Sequence, residues 1–266
     1  MSTADVNGIT INYRLEGEGP ETVVLVNGLA DDLESWGYQT PALVEAGFRV
    51  LTFDNRGVGE SDKPAGPYTT KLFAADTKAL VDSLGISDFH LLGVSMGGMI
   101  VQEYVLAHPG DVRSLIPACT YAAPGPFCSR MFALWAEMAP VMGLRSVMQD
   151  VTLWAFTQEF FETRGDELAE FEEAMATLVM PIDAYLAQLS SIQTHDATAR
   201  LGEITVPTTV IAGETDILIP VELSRRLHLG IPGSEWLTVR GGHACIWEHP
   251  DPFNDAVIAH VRKHSH

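Results

Sequence analysis

Short apolar runs alternate with amphipathic stretches along much of the chain. Strands interleaved with crossover helices in a mainly parallel sheet produce this pattern. Ile9–Leu15 alternates polar and apolar positions and predicts a half-buried strand. The segment Glu16-Gly17-Glu18-Gly19-Pro20 then turns the chain into the apolar run Thr22–Val26, which suits a strand covered on both faces. Phe48–Phe53, Phe89–Val94, Val112–Ala118, Pro207–Ala212 and Glu235–Val239 read as further strands. Thr69–Leu84 predicts a helix, with Phe73, Ala74, Thr77, Leu80, Val81 and Leu84 on one face, and Gly98–His108, Val221–Leu229 and Pro252–His264 predict others.

The alternation stops between Thr120 and Leu201, where the pattern is helical throughout and rich in Met, Trp and Phe. Pro124, Pro126, Pro140 and Pro181 are expected to break it into pieces. This predicts a core of residues 1–119 and 202–266, split around a helical cap at 120–201. The acidic run Glu159–Glu173 reads as a solvated helix face. Met131, Phe132, Leu134, Trp135, Met138, Met142 and Met148 either pack the cap onto the core or wall a pocket beneath it.

At 266 residues, with 46% apolar and 19% charged side chains, the chain is expected to be one globular α/β domain carrying an insertion. Its net charge of −19 repels phosphate backbones and anionic membrane surfaces, so neither nucleic acid nor membrane is an expected partner. No apolar stretch is long enough for a membrane span, and the first residues lack a signal-peptide pattern, so a cytoplasmic location is expected. Cys119, Cys128 and Cys245 are an odd set without Cys-x-x-Cys spacing and are expected to be buried thiols.

The chemistry concentrates at Gly93-Val94-Ser95-Met96-Gly97, a Gly-x-Ser-x-Gly motif that an apolar strand enters and a helix leaves. The glycines give Ser95 room on a sharp turn, and the backbone N–H of Met96, at a helix start, is placed to stabilise an oxyanion. A serine hydroxyl needs a base held by an acid. Asp216 follows one predicted strand and His243, within Gly241-Gly242-His243, follows the last, so the order Ser95, Asp216, His243 fits a nucleophile–acid–base set. Glu214 is the nearby rival acid. No metal-ligand spacing, phosphate loop or dinucleotide fingerprint is present, so no metal and no cofactor are expected.

These motifs resemble the α/β-hydrolase family from about Gly8 onward, with Asp54-Asn55-Arg56-Gly57-Val58-Gly59-Glu60-Ser61 similar to its loop after the fourth strand. The resemblance implies a doubly wound, mostly parallel eight-stranded sheet with an inserted helical cap. It also implies an oxyanion loop at Asn27-Gly28-Leu29, with the N–H of Leu29 as second donor. Many relatives carry His-Gly where this chain has Asn27-Gly28. The same stretch, together with Ser95-Met96-Gly97-Gly98-Met99 and Gly66-Pro67-Tyr68, looks most like 3-oxoadipate enol-lactonases and small ester hydrolases.

The resulting expectation is hydrolysis of a small ester or lactone by Ser95, His243 and Asp216 through an acyl-enzyme. Two alternatives stay open: C–C or amide cleavage of an acidic ring-cleavage product, and a small-molecule receptor on the same fold. Expected substrate contacts are Asn27, Gly28, Arg130, Met131, Trp135 and Ile217. Acidic substrates of the enzyme groups this chain resembles often meet an arginine from the cap, for which Arg130, Arg145 and Arg164 are the candidates, and each of them reads more readily as a surface arginine. The expected partner is a small molecule, and a homodimer is left open.

Overall fold

A computed structural model describes residues 2–177 and 179–266. Strands β1 (Ser2–Val6) and β2 (Ile9–Glu16) form a hairpin across Asn7-Gly8, both at positive φ (48° and 77°), where a glycine and an asparagine are tolerated best. β3 (Thr22–Val26) follows, then α1 (Gln39–Glu45), β4 (Arg49–Phe53), α2 (Thr70–Ser83, capped by the Thr69 hydroxyl), β5 (Phe89–Val94), α3 (Met96–Ala107) and β6 (Val112–Ala118). Five helices come next: α4 (Pro126–Met142), α5 (Leu144–Ala155), α6 (Gln158–Thr163), α7 (Gly165–Thr177) and α8 (Ile182–Gln193). The chain ends with β7 (Thr209–Gly213), α9 (Val221–Gly230), β8 (Glu235–Val239), α10 (Cys245–Glu248) and α11 (Pro250–Lys263).

The eight strands form one sheet in the order β1-β2-β4-β3-β5-β6-β7-β8, antiparallel only at β1–β2 and β2–β4. The doubly wound, mostly parallel α/β architecture is therefore present. Alternate residues of β3 face opposite layers. Val24 and Val26 join Phe73, Leu80, Ile100, Tyr104 and Leu227 of α2, α3 and α9, whereas Val23 and Leu25 join Leu43, Phe253, Val257 and Val261 of α1 and α11. With both faces covered, every residue of β3, β5 and β7 is buried. No helix among the described residues is long and apolar enough to cross a membrane.

Three elements are absent from the sequence reading, β1, α1 and the four-residue α10. β1 is an edge strand with three exposed or half-exposed polar residues, which gives no apolar signal, and α1 spans only two turns. One expectation is corrected. Pro140 does not break its helix but lies in the last turn of α4, which ends at Gly143 with φ 79°. Pro126 opens α4 and Pro181 caps α8, as their fixed φ allows.

Three histidines sit in this core with one ring nitrogen bonded, to Ser114, Thr70 and Thr209, and the other without a partner among the described residues. Burial pushes His90 and His195 down to about 4 and His260 to about 3. These rings stay neutral in the fold and become charged only on unfolding. The stability these rings contribute is therefore full above about pH 6.5 and declines as pH falls towards 4, by a few kcal/mol for each ring. Urea unfolding at stepped pH checks this, and His260→Gln should make the slope between pH 6 and 4 shallower by about one proton.

Candidate active site

Ser95 lies between β5 and α3 with φ 56° and ψ −118°, a strained conformation for a residue with a side chain. Its neighbours make the turn possible. A Cβ on Gly93 would lie 2.2 Å from the Gly97 carbonyl oxygen, one on Gly97 2.0 Å from that of Val26, and one on Gly98 2.6 Å from Thr120 Cβ. Three hydrogen bonds fix the strained residue: its N–H donates to Ala118 O at 2.9 Å, and its carbonyl accepts from Thr120 Oγ1 at 2.8 Å and Met99 N at 3.3 Å. Ser95 is half-buried.

His243 Nδ1 lies 2.8 Å from Asp216 Oδ2, whose other oxygen accepts the Ile219 N–H at 2.8 Å. Asp216 is buried, whereas Glu214 is exposed. The two loops are joined, because Thr215 donates to Gly241 O through both N–H and hydroxyl at 3.0 Å. Burial alone pushes the His243 imidazole down. The hydrogen-bonded Asp216 carboxylate outweighs it, Cys119 and Asp31 act the same way, and the ring rises to about 9.

Ser95 and His243 open onto one cavity of about 70 Å³. The insertion supplies Phe132, Trp135, Met148, Phe156 and Phe171, and the core supplies Leu29, Asp31, Leu218 and Trp247. Met96 is the first residue of α3, so its N–H has no acceptor within the helix. Leu29 lines the cavity from the loop after β3, and a Cβ on Gly28 would lie 3.6 Å from Ser95 Cβ.

Of the expected substrate contacts, only Trp135 lines the cavity, with Gly28 beneath its floor. Asn27 works inside its loop, accepting from Trp36 Nε1 and donating to Asp31 O at 3.1 Å. Met131 is buried within the insertion, and Ile217 is 53% exposed, its place taken by Leu218. Arg130 is exposed, Arg145 pairs with Glu173, and Arg164 holds Glu167 and the Glu248 carbonyl. None of the three cap arginines lines the cavity, because acids and carbonyls at the surface satisfy two of them and solvent the third.

Several residues escaped the sequence reading because no motif marks them. Gln188 of α8 is fully buried, accepts the Ala30 N–H at 3.0 Å and donates to Arg56 O at 2.9 Å. Glu248 accepts from Gly242 N at 2.9 Å and from Thr157 Oγ1 at 2.5 Å, and Ala244 N donates to Ala155 O at 2.9 Å. The insertion thus holds both the loop of Leu29 and the loop of His243. Cys119, Asp216 and His243 have donor atoms within 4.8 Å of one another, the described residues that could together approach an ion. In this arrangement Asp216 and His243 are already bonded to each other, and Cys119 Sγ lies 3.6 Å from Cys245 Sγ. Asp31 is half-buried, and burial, helped by the charge of Asp32, pushes its carboxyl up to about 7.

The profile of the alpha/beta hydrolase fold family matches residues 21–250. The chain is 29% identical over 254 residues to "Putative carbamate hydrolase RutD" of Stutzerimonas stutzeri (strain A1501), covering 94% of this chain and 95% of that protein. It is 31% identical over 274 residues to the 2-hydroxy-6-oxononadienedioate/2-hydroxy-6-oxononatrienedioate hydrolase of Klebsiella pneumoniae, covering 96% and 92%. Among solved structures, the enol-lactonase from Burkholderia xenovorans LB400 superposes with a TM-score of 0.91 at 28% identity, covering 98% of this chain and all of that one.

The glycine contacts separate two kinds of position. Gly97→Ala forces a Cβ into the Val26 carbonyl and should cost about 3 kcal/mol or more, whereas Gly202→Ala, with open space around it, should stay within about 0.5 kcal/mol. Urea unfolding of the two variants measures the contrast.

Proposed function

Because the chain belongs to the α/β-hydrolase fold family, we propose that it is a serine hydrolase that cleaves small carboxylic esters or lactones through an acyl-enzyme. The observation that carries this reading is the shared cavity of Ser95 and His243, with His243 Nδ1 held by buried Asp216. Nδ1 faces the acid, so Nε2 is the nitrogen that takes the Ser95 proton as Oγ attacks the carbonyl carbon. Asp216 fixes the tautomer and stabilises the imidazolium. The N–H groups of Leu29 and Met96 receive the oxyanion. His243 then returns the proton to the leaving oxygen, and a water activated by the same ring releases the acid.

The five-helix insertion acts as a cap that walls the acyl site, and a cavity of about 70 Å³ suits short acyl groups. The names of the enol-lactonase and RutD likenesses agree with attack at a carbonyl carbon. Cleavage of an acidic ring-cleavage product is disfavoured, because no Lys or Arg is among the described residues lining the cavity and a carboxyl is.

Hydrolysis of p-nitrophenyl acetate to octanoate, several lactones and an acidic β-diketone by wild type and Ser95→Ala tests the reading. Wild type should favour the shortest esters and lactones, and Ser95→Ala should lose at least about 10³-fold in kcat. Equal turnover by the two proteins would overturn it. Only neutral His243 can accept the proton, so kcat/KM should rise with pH and level off through an inflection near 9.

A further inference from the structure

Asp31 and His243 are the two ionisable side chains among the described residues that line the inner cavity. The Asp31 carboxylate is set against the nucleophile: a Cβ on Gly28 would lie 2.5 Å from Asp31 Oδ2 and 3.6 Å from Ser95 Cβ, so the two flank one α-carbon. No side-chain hydrogen bond or ion pair reaches that carboxylate among the described residues. Around it stand Phe132, Trp135, Phe156, Phe171 and Trp247, whose ring faces attract cations.

A second cavity of about 470 Å³ adjoins the first, sharing Phe171, Met175 and Trp247, and is lined by Asp32, Glu34, Asp54 and Glu60 with no Lys or Arg among its described residues. Arg14 pairs with Glu34, and Asp54 is taken up by Asn12 and the N–H groups of Leu33 and Glu60. Asp32 and Glu60 remain to give this outer chamber a negative field.

We propose that Asp31 is a specificity residue that holds a cationic nitrogen, so that the preferred substrates are small esters carrying an ammonium group close to the scissile carbonyl. This rests on the serine-hydrolase reading above and adds the substrate class. An anionic substrate would bring like charge beside Asp31, and a neutral one would leave its carboxylate desolvated, with the Gly28 N–H and the charge of His243 alone to offset it. An ammonium group supplies the missing partner, and the aromatic wall takes the rest of its charge. Burial holds the free carboxyl near 7, and a cation bound beside it returns it to the ionised form.

Glycine methyl ester and methyl propanoate share one skeleton and differ by an ammonium in place of a methyl group. The experiment compares kcat/KM for the pair, each corrected for its hydroxide-catalysed rate, in wild type, Asp31→Asn and Asp31→Glu. Wild type should favour the ammonium ester, and Asp31→Asn should lower that preference at least about tenfold, mainly through KM, with partial rescue in Asp31→Glu. Removing an unpaired carboxylate should leave thermal stability equal or higher, whereas a structural role would lower it; Asp31→Ser repeats the comparison should Asp31→Asn not fold. An unchanged preference in Asp31→Asn, or no wild-type preference, overturns the inference. Failure on both methyl esters with Ser95-dependent turnover of p-nitrophenyl esters overturns the inference alone, and failure on all of them overturns the hydrolase reading with it.

Discussion

The site rests on a close approach of backbones that only glycine permits. Gly97 brings α3 against the Val26 carbonyl at the end of β3, Gly93 lets β5 pass the Gly97 carbonyl, and Gly98 meets Thr120 beyond β6. Three strands and one helix are locked within van der Waals contact around Ser95. The positive φ of Ser95 costs energy on the order of 1–3 kcal/mol, and such strain persists only where the surroundings over-determine it. The same packing brings the loop after β3 against Ser95, a Cβ on Gly28 lying 3.6 Å from Ser95 Cβ, so one constraint sets both the strained turn and its surroundings.

The insertion is part of this device rather than a cover laid over it. Gln188 bonds Ala30 and Arg56, Tyr121 OH donates to Ile192 O at 2.7 Å, and Ala155 O accepts from Ala244, next to His243. Losing these bonds with the helices still in place would leave buried N–H and carbonyl groups of the two loops unsatisfied, at about 1–3 kcal/mol each.

What the sequence made legible follows from the range of the forces involved. Buried parallel strands need unbroken apolar runs and a serine on a sharp turn needs glycines, so the sheet and the order Ser95, Asp216, His243 are written locally. β1 pairs along an exposed edge and is written only in the Asn7-Gly8 turn. Asp31, Gln188 and Glu248 carry no local signal, since Gln188 bonds Ala30 158 residues away, Glu248 bonds Thr157 91 residues away, and Asp31 faces a cavity lined from β5, α3, α4, α5, α7, α8 and α10. Arg164 pairs with Glu167 three residues on, which helical spacing anticipates, whereas Arg145 meets Glu173 of α7, 28 residues away, which it does not.

The buried acids of this molecule divide in a way that bears on its chemistry. Asp54 accepts three hydrogen bonds, Asp76 pairs with Arg56, Glu103 with Arg200, Glu248 with two N–H groups and a hydroxyl, and Asp216 with His243. Each is compensated from within the fold, as low-dielectric surroundings require. Asp31 faces the cavity, where the charge of His243 and the Gly28 backbone N–H draw its pKa down, and burial and Asp32 prevail over them. A fold selected for stability alone would place a neutral residue there. The carboxyl that no side-chain hydrogen bond or ion pair reaches among the described residues stands next to Ser95, so a bound substrate can bring the compensation it lacks.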